Sequence, residues 1–283
     1  MTNKAADQLK AALRRLTEAG VETPLLDAQL MMAKVLGCSR LDVIAHSERP
    51  LTDSELAAFS SLLDRRACRC PLAYILGVKE FYALEFNVSP SVLIPRPETE
   101  VLVESCLSSV GRQSALIAEV GAGSGAIAVA LAANLPSARI YATEISPAAL
   151  EVARDNVEKH QLAERVALFE GNFLEPLARL GLRFDAVVSN PPYIPSSEIA
   201  TLEPEIKDHE PVEALDGGQD GLDAYRALFP AALELLREGG FAAVEVGKVR
   251  ADAVRGLAIG AGYGSAEAVP DLAGILRVVI GYK

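Results

Sequence analysis

Cysteine and histidine are scarce in this sequence. Among 283 residues there are three histidines and four cysteines, namely Cys38, Cys68, Cys70 and Cys106. Four cysteines are too few for a disulfide scaffold, and the single residue between Cys68 and Cys70 is not a zinc-binding spacing. We therefore expect reduced thiols and no metal site.

The sequence also lacks any apolar run long enough to cross a bilayer, and its amino terminus does not resemble a secretory signal. Basic residues are outnumbered, with 27 Lys and Arg against 38 Asp and Glu, which gives a net charge of −11. Because an acidic protein repels phosphate backbones, the composition disfavours a nucleic-acid partner. We expect a cytoplasmic protein, monomeric, that binds neither membrane nor nucleic acid.

Residues 4–74 have the periodicity of successive helices. Helices are predicted over 25–36, where a glycine follows, and over 52–66, where Thr52 and Glu55 are spaced for a capping box. A small helical bundle of this kind is either a stabilising module or a docking surface for a partner, and the helical pattern does not decide between them.

Extended segments follow the bundle. Residues 81–88 and 92–94 are rich in β-branched and aromatic residues, and Ser89-Pro90-Ser91 separates them, which predicts a hairpin or an extended linker. We divide the chain into a helical bundle (1–76), a hairpin linker (77–97) and a third domain (98–283).

Strands and helices alternate in this third domain. Strands are predicted over 115–120, 139–143, 165–169, 184–189, 240–246 and 275–280. Helices are predicted over 124–134, 147–161, 221–237 and 248–261. This alternation predicts an α/β fold with a doubly wound, mostly parallel sheet, and a ligand site at the carboxyl ends of its strands.

A glycine-rich loop follows the first of these strands, with the sequence Gly121-Ala122-Gly123-Ser124-Gly125. Glycines allow a sharp turn and let a ligand approach the main chain, while the next helix offers free N–H groups. The Gly-x-Gly-x-Gly spacing is one residue shorter than the dinucleotide-binding pattern. It favours a methyltransferase loop without excluding a pyrophosphate site.

Two side chains at the next strand ends are candidate cofactor ligands. Glu144 ends the second strand, where it can accept hydrogen bonds from both ribose hydroxyls. The same geometry serves NAD enzymes, so Glu144 indicates an adenosyl ligand without choosing between cofactors. Phe173 follows the third strand and either packs on the adenine face or belongs to the core.

The motif Asn190-Pro191-Pro192-Tyr193 directly follows the strand predicted over 184–189. The two prolines stiffen the loop, so the Asn190 side chain and the neighbouring carbonyls keep fixed directions. These oxygens can accept both hydrogens of a planar –NH2 group, over which the Tyr193 ring can pack. An amide nitrogen is a poor nucleophile, and preorganised acceptors raise its electron density as it attacks an aligned sulfonium methyl group.

The order of these motifs resembles the class I methyltransferases that methylate amino groups, and specifically the peptide chain release factor glutamine methyltransferase family. The resemblance covers nearly the whole chain. Further matching stretches are Pro71-Leu72-Ala73-Tyr74-Ile75-Leu76-Gly77, Val92-Leu93-Ile94-Pro95-Arg96-Pro97-Glu98-Thr99-Glu100, Ala214-Leu215-Asp216-Gly217-Gly218, Asp220-Gly221-Leu222 and Asp271-Leu272-Ala273-Gly274. Departures are Glu119 and Glu144, where the family commonly has aspartate, and Phe173, where tryptophan is frequent.

The resemblance implies a seven-stranded, Rossmann-like sheet that binds S-adenosylmethionine, with S-adenosylhomocysteine as the product. The implied cofactor ligands are Gly121, Ala122, Gly123, Ser124, Gly125, Glu144, Phe173 and Asn190. The implied substrate is the glutamine of the Gly-Gly-Gln loop of class 1 release factors, docked partly on the bundle, so that methylation modulates translation termination. The residues implied to hold this glutamine are Asn190, Pro191, Pro192 and Tyr193, and those implied in catalysis are Asn190, Pro191 and Tyr193.

Charges at the entry of the third domain have two interpretations. Arg96, Glu98 and Glu100 either form a structural clamp, with one another or with the backbone, or line the peptide entrance.

Four alternative functions fit part of the pattern. A DNA adenine-amino methyltransferase has catalytic loops of this form, but it needs a basic groove and must extrude its base. A glutamine methyltransferase for a ribosomal protein is a closer alternative. A non-catalytic adaptor does not explain the Asn190 loop, and an NAD-dependent dehydrogenase needs the longer glycine spacing.

Overall fold

The computed structural model describes residues 3–111 and 114–283. The chain forms two compact units, one of Met1–Val78 with Glu203–His209 and the other of Lys79–Leu202 with Glu210–Lys283. The functional boundaries at residues 76 and 97 stay a prediction. Among the helices of the described residues, none combines the length and apolar character that a membrane span requires.

The first unit is helical. Its helices are α1 (Ala5–Glu18), α2 (Pro24–Leu36), α3 (Arg40–Ala45), α4 (Asp53–Ala67) and α5 (Leu72–Leu76), with a further short helix described below. Their apolar faces share one core that includes Leu16, Met31 and Phe59. The predicted capping box is confirmed, because Thr52 Oγ1 accepts from the Glu55 N–H and Glu55 Oε2 accepts from the Thr52 N–H. The sequence prediction did not separate α3 and α5 from the longer helices.

The segment Glu203–His209 belongs to this helical unit, to which partly buried ion pairs join it. The Arg66 Nε atom donates to Asp27 Oδ2 at 2.7 Å, and its Nη1 atom donates to Glu205 Oε1 at 3.0 Å. Arg69 Nε also donates to Glu205 Oε1, at 2.6 Å. A distant segment is thereby held among helices that precede it by more than a hundred residues.

The second unit is built on a seven-stranded sheet. A hairpin of β1 (Val78–Phe81) and β2 (Leu84–Asn87) precedes it. The sheet strands are β3 (Leu116–Val120), β4 (Arg139–Glu144), β5 (Val166–Glu170), β6 (Phe184–Ser189), β7 (Leu236–Glu245), β8 (Ser265–Pro270) and β9 (Leu276–Tyr282). The helices from α6 onward are α6 (Glu100–Val110), α7 (Ala126–Asn134), α8 (Pro147–Lys159), α9 (Glu175–Ala178), α10 (Pro204–Lys207, in the helical unit), α11 (Asp223–Leu235) and α12 (Ala251–Gly260).

The predicted doubly wound, mostly parallel sheet is confirmed. Its strand order is β5-β4-β3-β6-β7-β9-β8. The first five strands are parallel, while β9 runs antiparallel to both β7 and β8. Successive residues of β3 belong to different hydrophobic cores on the two faces of the sheet. Ile117 belongs to the core that includes residues of α6, α7 and α8. Ala118 belongs to the core that includes residues of α9, α11 and α12. Helices therefore cover both faces, as expected of strands that are apolar on both sides.

Two details of the sequence prediction are wrong. The hairpin turns at Tyr82 and Ala83, both at positive φ (51° and 57°), and not at Ser89-Pro90-Ser91. Bulky residues rarely adopt this conformation, so the sequence contains no turn signal there; Glu100 stabilises it by accepting the Tyr82 N–H at 2.8 Å. The edge strand β8 was also missed because, with no fully buried residue, it lacks the apolar run that marked the other strands.

The buried Asp27–Arg66 pair yields a stability prediction. We expect Asp27→Ala to lower the free energy of unfolding by about 3 kcal/mol, because it removes the more deeply buried of the two carboxylates that pair with the Arg66 guanidinium. Arg15→Ala removes an exposed ion pair with Asp64 in the same unit and should cost less than about 1 kcal/mol. Urea denaturation of the full chain measures both, and equal losses in the two variants would contradict the prediction.

Candidate active site

The ends of three neighbouring strands meet at one point of the sheet. Val120, the last residue of β3, pairs with Thr143 of β4 on one side and with Ser189 of β6 on the other. The Ser189 hydroxyl also donates to the Val120 carbonyl at 2.8 Å. Because successive connections leave β3 in opposite directions here, a crevice forms at the carboxyl edge of the sheet.

A cavity of about 630 Å³ lies at this edge. Its walls include the loops after β3, β4, β5 and β6, the linker before α6, and Pro211, Glu213 and Ala214. The predicted site residues that line it are Gly121, Ala122, Gly123, Ser124, Glu144, Phe173, Asn190, Pro191 and Pro192. Two predicted site residues, Gly125 and Tyr193, are not among the described residues that line the cavity.

The glycine loop is fixed by main-chain contacts to the neighbouring strand. The N–H groups of Gly121 and Ala122 both donate to the Thr143 carbonyl at 2.9 Å. Gly121 and Gly123 have φ angles of 76° and 54°, and a Cβ added at either would meet no described atom within 4 Å. The loop therefore requires glycine for its conformation and leaves open space beside the main chain, which fits close approach by a ligand.

Gly125 has a packing role. Its φ angle is 77°, and a Cβ there would lie 3.4 Å from Ala153 of α8. The third glycine of the motif thus lets α7 begin against α8 instead of lining the cavity.

Glu144 stands at the cavity wall with its carboxylate held by the backbone. Its Oε2 atom accepts from the Gly123 N–H at 2.8 Å and its Oε1 atom from the Ser146 N–H at 2.9 Å. A carboxylate has about four acceptor positions, so each oxygen can still accept a hydroxyl of a ribose. This geometry fits the ligand role predicted for Glu144.

The position of Phe173 agrees with both interpretations that the sequence left open, a contact with the ligand and a place in the core. Its side chain lines the cavity and also packs against the core beneath the sheet. Its backbone has a φ angle of 44°, a conformation that is strained for an aromatic residue. Strain of this kind at a cavity wall fits a side chain placed to contact a ligand.

Glu119, which precedes the glycine loop, is an acid in the protein interior. It is fully buried, and neither carboxyl oxygen has a hydrogen-bond partner among the described residues. Burial, together with the charge of Glu144, raises the pKa of Glu119 well above its usual range. Within residues 3–111 and 114–283, no three His, Cys, Asp or Glu side chains are grouped to hold a metal ion.

The corner after β6 presents an oriented amide. Asn190 lines the cavity, and its Nδ2 atom donates to Thr99 Oγ1 at 3.2 Å. Nδ2 uses one of its two hydrogens for Thr99, which turns the –NH2 end of the amide toward Thr99 and leaves Oδ1 at the other end. The cavity wall therefore includes an amide side chain, the group that the motif predicts as an acceptor.

Two glycines support this corner from behind. A Cβ on Gly217 would lie 2.8 Å from the Pro192 carbonyl oxygen, and one on Gly221 would lie 2.4 Å from that of Tyr193. The Gly217 N–H donates to the Ile194 carbonyl at 2.8 Å. The glycines noted in the sequence as family matches thus have a physical reason, since any side chain would displace the loop after β6.

Tyr193 points to a buried carboxyl group. Its hydroxyl donates to Glu245 Oε1 at 3.3 Å, and its ring lies beside Gly247. Burial raises the pKa of Glu245 to about 7, although hydrogen bonds from the Thr99 and Tyr193 hydroxyls lower it. Sequence reasoning missed Thr99 and Glu245 as site residues; the signal for Glu245 was a lone acid in an otherwise apolar strand.

The charges before α6 act mainly as a clamp. Glu210 is buried and accepts from Arg96 Nη2 and from the Ile94 N–H. Glu98 lies 3.5 Å from Arg277, measured between Oε1 and Nη2. Arg96 also lines the cavity, so its position agrees with either interpretation, and the entrance role stays a prediction.

Comparisons with known proteins agree with this geometry. The model of the PrmC N-terminal domain matches residues 7–77, and that of the methyltransferase small domain matches residues 97–203. A crystal structure of a methyltransferase from Pyrococcus furiosus aligns with a TM-score of 0.55 and 22% identity, over 78% of this chain and 98% of that chain. This structural likeness shows the fold.

Two relatives carry the assignment further. A release factor glutamine methyltransferase of Moorella thermoacetica is 47% identical over 277 residues, which cover 97% of each chain. Another, of Geobacter sulfurreducens, is 46% identical over 94% of this chain and 92% of its own. With such identity across nearly the full length, and with the methyltransferase fold and cavity described above, this chain is a methyltransferase and belongs to the release factor glutamine methyltransferase family.

Proposed function

We propose that the protein transfers a methyl group from S-adenosylmethionine to the side-chain amide nitrogen of the glutamine in the Gly-Gly-Gln loop of class 1 peptide chain release factors. The observation that carries the proposal is the Asn190 amide, which lines the cavity and whose –NH2 end is turned toward Thr99. The names of the relatives supply the release factor and the glutamine. The compartment of this reaction is the cytoplasm, where translation termination takes place.

The cofactor is held by residues of three consecutive loops. The main chain at Gly121 and Gly123 allows close approach, Glu144 binds the ribose hydroxyls and Phe173 contacts the adenine. When bound, S-adenosylmethionine supplies an electrophilic methyl group on a sulfonium that carries its own leaving group. Asn190 stands on the opposite loop, so the same residue borders both the cofactor and the substrate.

The protein activates the amide nitrogen through fixed acceptors. Asn190 Oδ1 and the main-chain carbonyl of the neighbouring proline corner accept the two N–H bonds of the glutamine. These acceptors stabilise the positive charge that develops on the nitrogen as its bond to the methyl carbon forms. Because the prolines hold the corner rigid, little reorganisation is needed when the nitrogen attacks. The nitrogen releases one proton after the transfer.

The substrate assignment is tested by label transfer. Incubation with methyl-labelled S-adenosylmethionine should label a class 1 release factor, and a glutamine-to-glutamate change in its Gly-Gly-Gln loop should abolish the label because a carboxylate has no N–H to be held. Ribosomal proteins and duplex DNA serve as competing substrates. Label on DNA or on a ribosomal protein, with the release factor unlabelled, would contradict the proposal.

Asn190→Ala tests the acceptor. We expect kcat to fall by roughly 10²-fold or more, which is typical for the loss of one preorganised polar group, while the Kd for S-adenosylmethionine stays close to that of the wild type. Asn134→Ala is the matched control, since its amide caps the carbonyl of Ala130 at the end of α7. Unchanged turnover by Asn190→Ala would exclude the mechanism.

Glu144→Ala tests the cofactor site. Loss of charge-assisted hydrogen bonds should weaken S-adenosylmethionine binding by about tenfold or more in calorimetry. Glu170, paired with Glu144 on the adjacent strand but exposed, provides the control Glu170→Ala, which should bind normally. Equal affinities for the two variants would remove Glu144 from the site.

A further inference from the structure

Behind Asn190 lies a short chain of polar groups on three different elements. Asn190 follows β6, Thr99 precedes α6, and Glu245 ends β7. Asn190 Nδ2 donates to Thr99 Oγ1, and the Tyr193 hydroxyl donates to Glu245 Oε1. Hydrogen bonding with the Thr99 side chain lowers the pKa of Glu245, which links Thr99 to the same carboxyl group. Thr99 and Glu245 are 4% and 2% exposed, so water does not substitute freely for these contacts.

The chemistry of these groups determines which of them donates and which accepts each hydrogen bond. An ionised carboxylate only accepts hydrogen bonds, and a hydroxyl has a single hydrogen to donate. When Thr99 gives its hydrogen to Glu245, its oxygen can only accept from Asn190. The Asn190 amide must then turn its –NH2 group toward Thr99, and Oδ1 is left on the side of the cavity.

We propose that Thr99 and Glu245 are positioning residues that orient the Asn190 carboxamide so that its oxygen, and not its nitrogen, faces the target amide. This inference rests on the proposed function, because an acceptor at this place is needed for a substrate that presents N–H bonds. A reversed Asn190 amide would set its own N–H groups against those of the glutamine.

The main chain of Glu245 is fixed by its neighbours. Its neighbour Val244 pairs with Ser189, the residue before Asn190, so the two strand ends are joined at this point. The Tyr225 hydroxyl donates to the Glu245 main-chain carbonyl at 2.8 Å. Glu245 therefore fixes the orientation of the amide from a rigid strand, and Tyr193 connects the same carboxyl group to the catalytic loop.

Once Glu245 is protonated, the donor and acceptor roles of these hydrogen-bonded groups are no longer fixed. Besides burial, which raises the pKa of Glu245 to about 7, the groups that act on it are Thr99, Tyr193 and Arg277, which lower the pKa, and Glu98, which raises it. Above this pKa the carboxylate only accepts. Below it the acid can donate to Thr99, which is then free to donate to Asn190 Oδ1, and the amide can reverse. Turnover should consequently fall as the pH drops through about 7.

The test compares kcat at saturating S-adenosylmethionine and release factor between pH 6 and 9 for the wild type, Thr99→Val, Thr99→Ser and Glu245→Gln. We expect Thr99→Val to lower kcat about tenfold, less than outright deletion of the Asn190 group, with an unchanged Kd for S-adenosylmethionine. Thr99→Ser should restore kcat because it keeps the hydroxyl. Glu245→Gln has an amide that can donate as well as accept. Its kcat should be low and should not fall further as the pH drops through about 7.

Tyr263→Phe is the matched control for the loss of a buried hydroxyl. Its hydroxyl donates to the Phe229 carbonyl in the same unit, away from this chain, so kcat and the pH limb should match the wild type. A wild-type protein that labels no release factor overturns the proposed function and this inference with it. An active wild type with a flat pH profile, or a Thr99→Val or Glu245→Gln variant with wild-type kcat and pH profile, overturns the inference alone.

Discussion

The hydrogen bond from Asn190 to Thr99 is the interaction on which the site depends. A carboxamide has a donor end and an acceptor end of nearly the same shape, so its position alone does not determine what it can bind. Thr99 selects the end that faces the cavity. The prolines after Asn190 and the glycines packed behind Pro192 and Tyr193 keep the backbone still, so that the selected orientation is preserved.

Three acids at strand ends occupy different environments and thereby take different roles. Glu144 accepts two main-chain N–H groups and borders the cavity, which suits a ligand for hydroxyls. Glu119 is fully buried, and burial together with the charge of Glu144 raises its pKa well above the usual range. Glu245 lies between these cases, because hydrogen bonding with the Thr99 and Tyr193 side chains partly offsets the rise in its pKa that burial causes. Environment, more than residue type, separates their functions.

The features that could be predicted from the sequence are those encoded by neighbouring residues. The loop from Gly121 to Gly125 and the corner from Asn190 to Tyr193 have local patterns, and the buried strands have apolar runs. The contact between Thr99 and Asn190 joins residues that are 91 positions apart, and no local pattern announces it. The hairpin turn at Tyr82 was missed for the same reason, since its conformation is held by the distant Glu100.

The most direct measurement is a crystal structure of the protein with S-adenosylhomocysteine and a peptide that contains Gly-Gly-Gln. The account predicts the glutamine amide nitrogen about 3 Å from Asn190 Oδ1 and turned toward the cofactor sulfur, with Asn190 Nδ2 still bound to Thr99. A glutamine side chain bound elsewhere, or an Asn190 amide that presents its nitrogen to the peptide, would contradict it.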